Sequence, residues 1–291
     1  MRANGPSQTA VRTAMRRAAH YLLDAEPKIL SDTFARAFAG FSSDQEFLAA
    51  LDAEPSANLA WLRTSFALRN RLAEDELADA VKGGVAQYVI LGAGLDSFAY
   101  RRPDLMQSLT VYEVDHPASQ AWKRERVAAL GIEVPSTLHY VPIDFEDATL
   151  IEGLASAGLD RRAPVFFSWL GVTQYLTREA GLRTLQECAT VSSANCTLVM
   201  EFIAPPEMLE DGEAALCRSL ASASANVGEP WLSFYTFDEM TENLKTAGFR
   251  SVELFSPEKA SSRYLAGRSD GARLPGYFRM VKAMTSQRLS C

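Results

Sequence analysis

A chain of 291 residues in which 47% of the side chains are hydrophobic has enough apolar material for a large buried core, so a disordered or fibrous protein is excluded. Aspartate and glutamate (36) outnumber lysine and arginine (29), and the net charge of −7 argues against a nucleic-acid partner because it repels phosphate backbones. The four cysteines form no CxxC pair and have no histidines at metal-ligand spacing, so we expect a reduced chain without a metal site.

The sequence carries no membrane signal. No segment approaches the roughly 20 consecutive apolar residues that span a bilayer. The basic residues near the N-terminus are not followed by the apolar run of a signal sequence. We therefore expect a cytoplasmic protein that does not bind membranes, and the sequence leaves its oligomeric state open.

The first part of the chain has a helical pattern. Apolar residues recur at spacings of three and four in VRTAMRRAAHYLLDA, ILSDTFARAF and NLAWLRTSFALRNRLAEDELADAV, and Gly83-Gly84 then mark a turn. We predict that residues 1–84 form a helical cap that contributes to substrate binding.

From residue 85 onward, strand and helix patterns alternate. Five short apolar runs are candidate strands, at 87–91, 110–114, 138–143, 165–169 and 197–202. A helix is predicted over 237–247, and SVELF and GYFRMVKAM are predicted to be two closing strands. Such runs are typical of a mostly parallel sheet covered by helices on both faces, so residues 85–291 are predicted to form one α/β domain with seven strands. Residues 205–235 break the alternation and are interpreted as an inserted helical lid.

The segment QYVILGAGLDSFAYR is the most informative of the chain. A predicted strand runs into Gly92-Ala93-Gly94, where glycines allow a tight turn and let a ligand approach the backbone closely. Ser97 occupies the position of the third glycine in the dinucleotide pattern GxGxxG, so the fingerprint for binding a pyrophosphate is incomplete.

Acidic residues follow at the ends of the next two strands. Glu113 and Asp115 in VYEVDHP are candidates to bind ribose hydroxyls, and Asp115 is preferred because it lies nearer the carboxyl end of its strand. Asp144 closes the next strand and can accept from an adenine amino group, with Phe145 packing on the base. Trp169, at the end of the fourth strand, is a further candidate cofactor contact. Acids are unfavourable around an anionic pyrophosphate, and they favour S-adenosylmethionine, which carries a sulfonium and an ammonium group.

These segments resemble the leucine carboxyl methyltransferase family and its bacterial relatives. The resemblance extends from about residue 7 to the closing strands through SQTAVRTAMRRAAHYLLDAEPKIL, RNRLAEDELADAVKGGVAQYVILGAGLDSFAYR, VYEVDHPA, PIDFED and FFSWLGVTQYLTREA. It implies a Rossmann-like class I methyltransferase fold and S-adenosylmethionine as cofactor. It also implies that residues 92–94 line the cofactor, that Asp115 holds the ribose, and that Asp144 and Phe145 flank the adenine.

The resemblance further implies an arginine that binds the cofactor's methionine carboxylate, for which a guanidinium is a natural bidentate partner. RNRLAEDEL offers Arg69 and Arg71, and the sequence does not decide between them. One position departs from the family: many relatives carry Glu where SWLGVTQYL has Leu170, so the cofactor's ammonium group must find carbonyl oxygens or another acid.

The chemistry expected is methyl transfer to an oxygen of a small molecule. A carboxylate acceptor has a reference pKa of about 4 and needs no general base at neutral pH. An alcohol or phenol needs a base near the sulfonium, and His116 and Tyr175 are the candidates for that catalytic role. Two alternatives stay open from sequence: an NAD-dependent dehydrogenase, and a binding protein that retains the fold without turnover.

Overall fold

The computed structural model describes residues 7–52, 59–144 and 149–286. The N-terminal part is helical, as predicted, with two long and two short helices: α1 Gln8–Leu23, α2 Ala35–Phe38, α3 Asp44–Asp52 and α4 Ala60–Lys82. Ser7 caps α1 by accepting a hydrogen bond from the Ala10 amide. The longest helix, α4, leads directly into the first strand.

The centre of the protein is one seven-stranded sheet. Its strands are β1 Gln87–Leu91, β2 Thr110–Asp115, β3 Leu138–Pro142, β4 Val165–Trp169, β5 Cys196–Ile203, β6 Ser251–Phe255 and β7 Phe278–Met284. The order across the sheet is β3-β2-β1-β4-β5-β7-β6. The first five strands are parallel, and β7 is antiparallel to both β5 and β6. The predicted α/β fold with a mostly parallel sheet is confirmed.

Helices connect the strands and cover both faces. They are α5 Phe98–Arg101, α6 Pro103–Met106, α7 Pro117–Ala129, α8 Leu150–Ser156, α9 Arg178–Thr190, α10 Asp211–Ala225, α11 Phe237–Ala247 and α12 Pro257–Ala260. The helix predicted over 237–247 is found with those bounds, because a capping box of Thr236 and Glu239 starts it and Gly248 ends it in a left-handed conformation at φ 112°.

The central strands β1 and β4 are buried on both faces. Along β1, Val89 and Leu91 belong to the apolar cluster under one helical layer, whereas Tyr88 and Ile90 belong to the cluster under the other. This double burial explains why β1 is an unbroken apolar run instead of an alternating one. Leu77 of α4 packs into the same cluster as Tyr88, so the N-terminal helices cover one face of the sheet.

The predicted lid over 205–235 contains α10, a short 3-10 helix at Pro206–Met208, and an extended stretch that precedes α11. Leu216 and Leu220 of α10 pack in one apolar cluster with Phe66 and Ile203. The segment therefore lies over the end of β5 and against α4. None of the described helices is long and apolar enough to cross a membrane.

Candidate functional site

A cavity of about 640 Å³ opens at the carboxyl ends of β1, β2 and β4. One half is lined by the turns that follow β1 to β4, among them residues 92–96, 115–116, 143–144, 170–172 and 174–176. The other half is lined by α1, α4, α10 and the stretch after it, including Arg16, Phe66, Leu216, Leu220, Trp231 and Tyr277. The carboxyl edge of a parallel sheet is where ligands bind in α/β proteins.

The glycine turn after β1 forms the floor of the first half. Gly92 and Gly94 have φ values of +64° and +48°, which favour glycine over any residue with a side chain. A Cβ atom at Gly92 would lie 2.3 Å from Cγ2 of Val172, so the turn also needs the space that glycine leaves. Ala93 donates to the Val114 carbonyl at 3.0 Å, which fastens the turn to β2.

Asp115 ends β2 beside this turn. One carboxylate oxygen accepts from the Gly94 amide, and the other accepts from the His116 amide at 2.6 Å. Burial raises the pKa of Asp115, while the two amide donors act in the lowering direction. Because each carboxylate oxygen can accept more than one hydrogen bond, the group is held in place and can still accept from a ligand hydroxyl.

His116 and Asp144 face each other across the mouth of the cavity. His116 Nδ1 accepts from the Ala118 amide at 3.2 Å and so caps α7, and His116 Nε2 lies 3.4 Å from an oxygen of Asp144. With Nδ1 used as an acceptor, the ring hydrogen belongs on Nε2, pointing at Asp144. Neither nitrogen then offers a free lone pair, which argues against His116 as the general base. Phe145 lies outside the described residues.

Arg69 and Glu201 form a buried ion pair in the wall of the cavity. Arg69 Nη1 donates to Glu201 Oε2 at 2.8 Å, and the two side chains are 7% and 1% exposed. The Arg69 guanidinium also lies 4.5 Å from the centre of the Phe66 ring. Burial raises the pKa of Glu201, against the lowering effects of Arg69 and the Gly171 amide. Gly171, at φ +72°, lets the backbone pass close to Arg69, since a Cβ there would be 2.7 Å from Nη1.

The second candidate arginine is placed elsewhere. Arg71 points away from the cavity, where its Nε donates to Asp75 at 2.9 Å and its Nη1 donates to the Ile29 carbonyl at 3.2 Å. Its side chain is 43% exposed, and it does not line the cavity formed by the described residues. Two residues along a helix turn a side chain by about 200°, so only one of the two arginines can face the site.

Two further candidate residues, Glu113 and Trp169, do not line the cavity formed by the described residues. Glu113 is buried and accepts from Lys123 Nζ at 2.6 Å, and burial raises the pKa of this carboxyl to about 7. Trp169 is fully buried in the core between β4 and the helices, and its Nε1 finds no hydrogen-bond partner among the described residues. Glu113 therefore has a structural contact with α7, and Trp169 packs in the core.

Tyr175 does line the cavity. It lies in a short 3-10 helix, Thr173–Tyr175, which follows β4 and closes one side of the site. Leu170, the first residue after β4, lines the cavity as well. The structure thus brings together Gly92, Ala93, Gly94, Asp115, His116, Asp144, Arg69 and Tyr175 of the predicted set.

Some residues of the cavity were not singled out from sequence. Asp96 follows the glycine turn and is held by the Phe98 amide at 2.6 Å and by Asn70 Nδ2 at 3.0 Å. Glu201 is another such acid, and its signal in the sequence is a charged residue inside the apolar run of β5, CTLVMEFI. Within residues 7–52, 59–144 and 149–286, no group of three His, Cys, Asp or Glu side chains could hold a metal ion.

The N-terminus of α1 is tied to the segment after α10. Glu229 Oε2 accepts from Ser7 Oγ at 3.0 Å and from the Thr9 amide at 3.2 Å. Arg12 donates to the Ala223 carbonyl at 3.3 Å. These contacts join the N-terminal helices to the predicted lid above the cavity, and Thr9, Arg12 and Glu229 all contribute to its wall.

Comparisons with known proteins agree on one family for this chain. A model of the leucine carboxyl methyltransferase family matches residues 10–189. Over 290 residues the chain is 30% identical to "Putative S-adenosyl-L-methionine-dependent methyltransferase YktD" of Bacillus subtilis (strain 168), covering 93% of this chain and 95% of that protein. A protein of Mycobacterium ulcerans (strain Agy99), named "Putative S-adenosyl-L-methionine-dependent methyltransferase", is 35% identical over 161 residues, 55% of this chain and 52% of the relative.

A solved structure with the same fold covers nearly the whole chain. The DUF574 family protein from Streptomyces avermitilis MA-4680 superposes with a TM-score of 0.55 and 14% identity, over 94% of this chain and 95% of that one. The shared architecture includes the N-terminal helices as well as the sheet, given this coverage.

Proposed function

The chain belongs to the leucine carboxyl methyltransferase family, and from that membership we propose that it transfers a methyl group to a carboxylate or hydroxyl oxygen of a small molecule. It is an S-adenosylmethionine-dependent methyltransferase; the nature of the acceptor is the proposal. A dehydrogenase that binds NAD is not retained as an alternative, because it does not fit this family.

The observation that carries the proposal is one cavity with two chemically different halves. The half at the strand ends has a glycine turn, the fixed carboxylate of Asp115 and the carboxylate of Asp144. The other half combines an apolar and aromatic wall, formed by Phe66, α10 and Trp231, with the polar and basic side chains of α1. A cofactor and an acceptor that must meet for direct transfer need two such adjoining compartments.

The residues of the first half, together with Arg69 of α4, fit the cofactor. Asp115 would accept from the ribose hydroxyls, Asp144 from the adenine amino group, and Arg69 would bind the carboxylate of the methionine moiety. A Cβ at Gly94 would lie 3.3 Å from the Cβ of Ala10, so this position needs glycine for its close packing against α1 as well as for its φ value. When bound, the cofactor supplies a methyl group on a positively charged sulfur, and the surrounding side chains keep water away from the transfer.

The second half offers polar donors on an apolar wall. The Tyr277 hydroxyl and the Trp231 Nε1 have no hydrogen-bond partner among the described residues, and both side chains line the cavity. Arg16 lies 4.8 Å from the centre of the Phe66 ring in the same wall. Donors next to aromatic rings suit an acceptor with an apolar body and an oxygen-rich end, and they favour a carboxylate.

A hydroxyl acceptor makes a further demand, since its proton must leave. His116 has both ring nitrogens engaged, so Tyr175 would be the candidate to orient the acceptor or relay its proton. A carboxylate acceptor, ionised at neutral pH, needs neither. The arrangement of the site is therefore more favourable for carboxyl than for hydroxyl methylation.

The test is methyl transfer from labelled S-adenosylmethionine to paired acceptors. Each pair consists of an aromatic or aliphatic acid and the corresponding alcohol, and the product is identified by mass spectrometry as a gain of one methyl group. We expect methyl esters from the acids. Transfer only to the alcohols would overturn the preference, and binding of S-adenosylhomocysteine without transfer to any member would support the binding-protein alternative.

A further inference from the structure

The buried ion pair of Arg69 and Glu201 is incompletely satisfied. Arg69 Nη1 and Glu201 Oε2 bind each other, but Arg69 Nε and Glu201 Oε1 have no hydrogen-bond partner in the part of the chain that the structure describes. Both atoms are buried, and both side chains line the cavity. One unused donor on a cation and one unused acceptor on an anion thus lie in the wall of one site.

Burying such atoms without hydrogen-bond partners costs free energy. A buried charged group needs its remaining hydrogen bonds because the surroundings cannot replace those that water would make. Burial raises the pKa of Glu201 even though Arg69 is beside it, so one arginine does not fully compensate for the loss of water around this carboxylate. A ligand that brings a positive group to Oε1 would complete the set.

The register of the sheet places Glu201 next to Leu170. β4 and β5 are parallel, and the last residue of β4, Trp169, pairs with Met200, so Leu170 and Glu201 are the residues that directly follow this pair in the two segments. Leu170 cannot accept a hydrogen bond from an ammonium group with its side chain. Glu201 supplies a carboxylate one strand further along the sheet, next to the Gly171 amide.

The other acids near the glycine turn differ from Glu201 in their hydrogen bonds within the protein. Both oxygens of Asp96 and both oxygens of Asp115 accept hydrogen bonds from the protein. Asp144 lies beside His116 at the mouth of the cavity. Glu201 combines an oxygen that has no hydrogen-bond partner among the described residues with an ion pair to Arg69 through its other oxygen.

We propose that Glu201 is the ammonium-binding residue of this methyltransferase: Glu201 Oε1 accepts from the ammonium group at the amino-acid end of the cofactor, while Arg69 Nε donates to the adjacent carboxylate. A zwitterion is the ligand that matches an unused donor and an unused acceptor on the two partners of one ion pair. This inference rests on the proposed function, since it assigns a residue to the cofactor of that reaction. It also explains how the ammonium group of the cofactor is bound in a chain that has Leu170 where many relatives have Glu.

The experiment measures binding by titration calorimetry with three ligands that share the adenosine part. S-adenosylhomocysteine has both charged groups, 5′-(3-carboxypropylthio)-5′-deoxyadenosine lacks the ammonium group, and 5′-methylthioadenosine lacks the whole amino-acid end. We expect wild-type protein to bind S-adenosylhomocysteine about 10- to 100-fold more tightly than the ligand without ammonium, the range for a hydrogen bond to a charged group.

The variant Glu201→Gln should remove that difference. It should bind S-adenosylhomocysteine about 10-fold or more weakly than wild type, and bind the ligand without ammonium and 5′-methylthioadenosine within about twofold of wild type. Glu207→Gln, the same change at an exposed acid beyond β5, is the matched control and should bind all three ligands as wild type does.

Several results separate the inference from the proposed function. If wild type binds S-adenosylhomocysteine and the ligand without ammonium equally, the inference is overturned and the function stands, and this comparison needs no variant to fold. If Glu201→Gln weakens all three ligands alike, Glu201 acts only through the shape of the site and the inference is again overturned. If wild type binds none of the three ligands, the proposed function itself fails.

Discussion

The glycine turn after β1 allows a quantitative test of how closely the site is packed. Gly92→Ala adds a Cβ in a left-handed conformation at φ +64°, which costs about 1–2 kcal/mol. The same Cβ would lie 2.3 Å from Cγ2 of Val172, and Val172 is a stiff β-branched residue, so overpacking adds about 1–3 kcal/mol. The free energy of unfolding should therefore fall by roughly 2–5 kcal/mol.

Gly84→Ala is the matched control for this substitution. Gly84 also has a positive φ, +93°, but a Cβ there would meet no atom within 4 Å. Gly84→Ala should therefore lower the free energy of unfolding only by the conformational cost of a positive φ, about 1–2 kcal/mol. Denaturant unfolding measures the free energy of unfolding of both variants, and the larger loss in Gly92→Ala is the cost of the contact with Val172.

A second substitution tests the cause of that difference. Val172→Ala removes the two methyl groups in conflict, so it should return part of the lost stability to Gly92→Ala while destabilising the wild-type protein. Equal stability of Gly92→Ala and Gly84→Ala, or strictly additive effects of Gly92→Ala and Val172→Ala, would refute the reasoning. Affinity for S-adenosylhomocysteine should fall with Gly92→Ala and remain unchanged with Gly84→Ala.

Three further predictions concern single residues. Arg69→Met should weaken binding of S-adenosylhomocysteine about 10-fold or more, whereas Arg71→Met should leave the affinity within about twofold of wild type. Equal losses of affinity in titration calorimetry would contradict the placement of the two arginines. Burial raises the pKa of Glu113 from 4.5 to about 7, so between these values the folded protein keeps a proton that the unfolded chain has released. The free energy of unfolding should therefore decrease as pH rises through this window, by up to about 1.4 kcal/mol per pH unit, and Glu113→Gln should flatten that part of the pH profile. His116→Asn retains an acceptor at the start of α7 and should keep methyl transfer to an acid within a few-fold. A loss of 100-fold or more in the initial rate with an alcohol acceptor, but not with an acid, would restore His116 as a base.

Much of the fold was determined locally and could be predicted from the sequence. The strands at 87–91 and 165–169 are found with their predicted bounds, and the other three parallel strands differ by one residue at one or both ends. Strands buried on both faces produce apolar runs that end where the chain leaves the core, so their limits are visible in the sequence. The order of the strands could not be predicted in the same way, because the insertion of β7 between β5 and β6 depends on pairings between distant segments.

The same distinction applies to the site. The turn at 92–94 and Asp115 were found from sequence because they are close together in the chain, and the structure joins them by the hydrogen bond from the Gly94 amide. The choice between Arg69 and Arg71 required the direction in which α4 packs on the sheet. The pairing of Arg69 with Glu201 joins residues 132 positions apart, so only the tertiary structure could bring them together. Local spacing thus determined the glycine turn and its acid, and long-range packing decided which charged side chains reach the cavity.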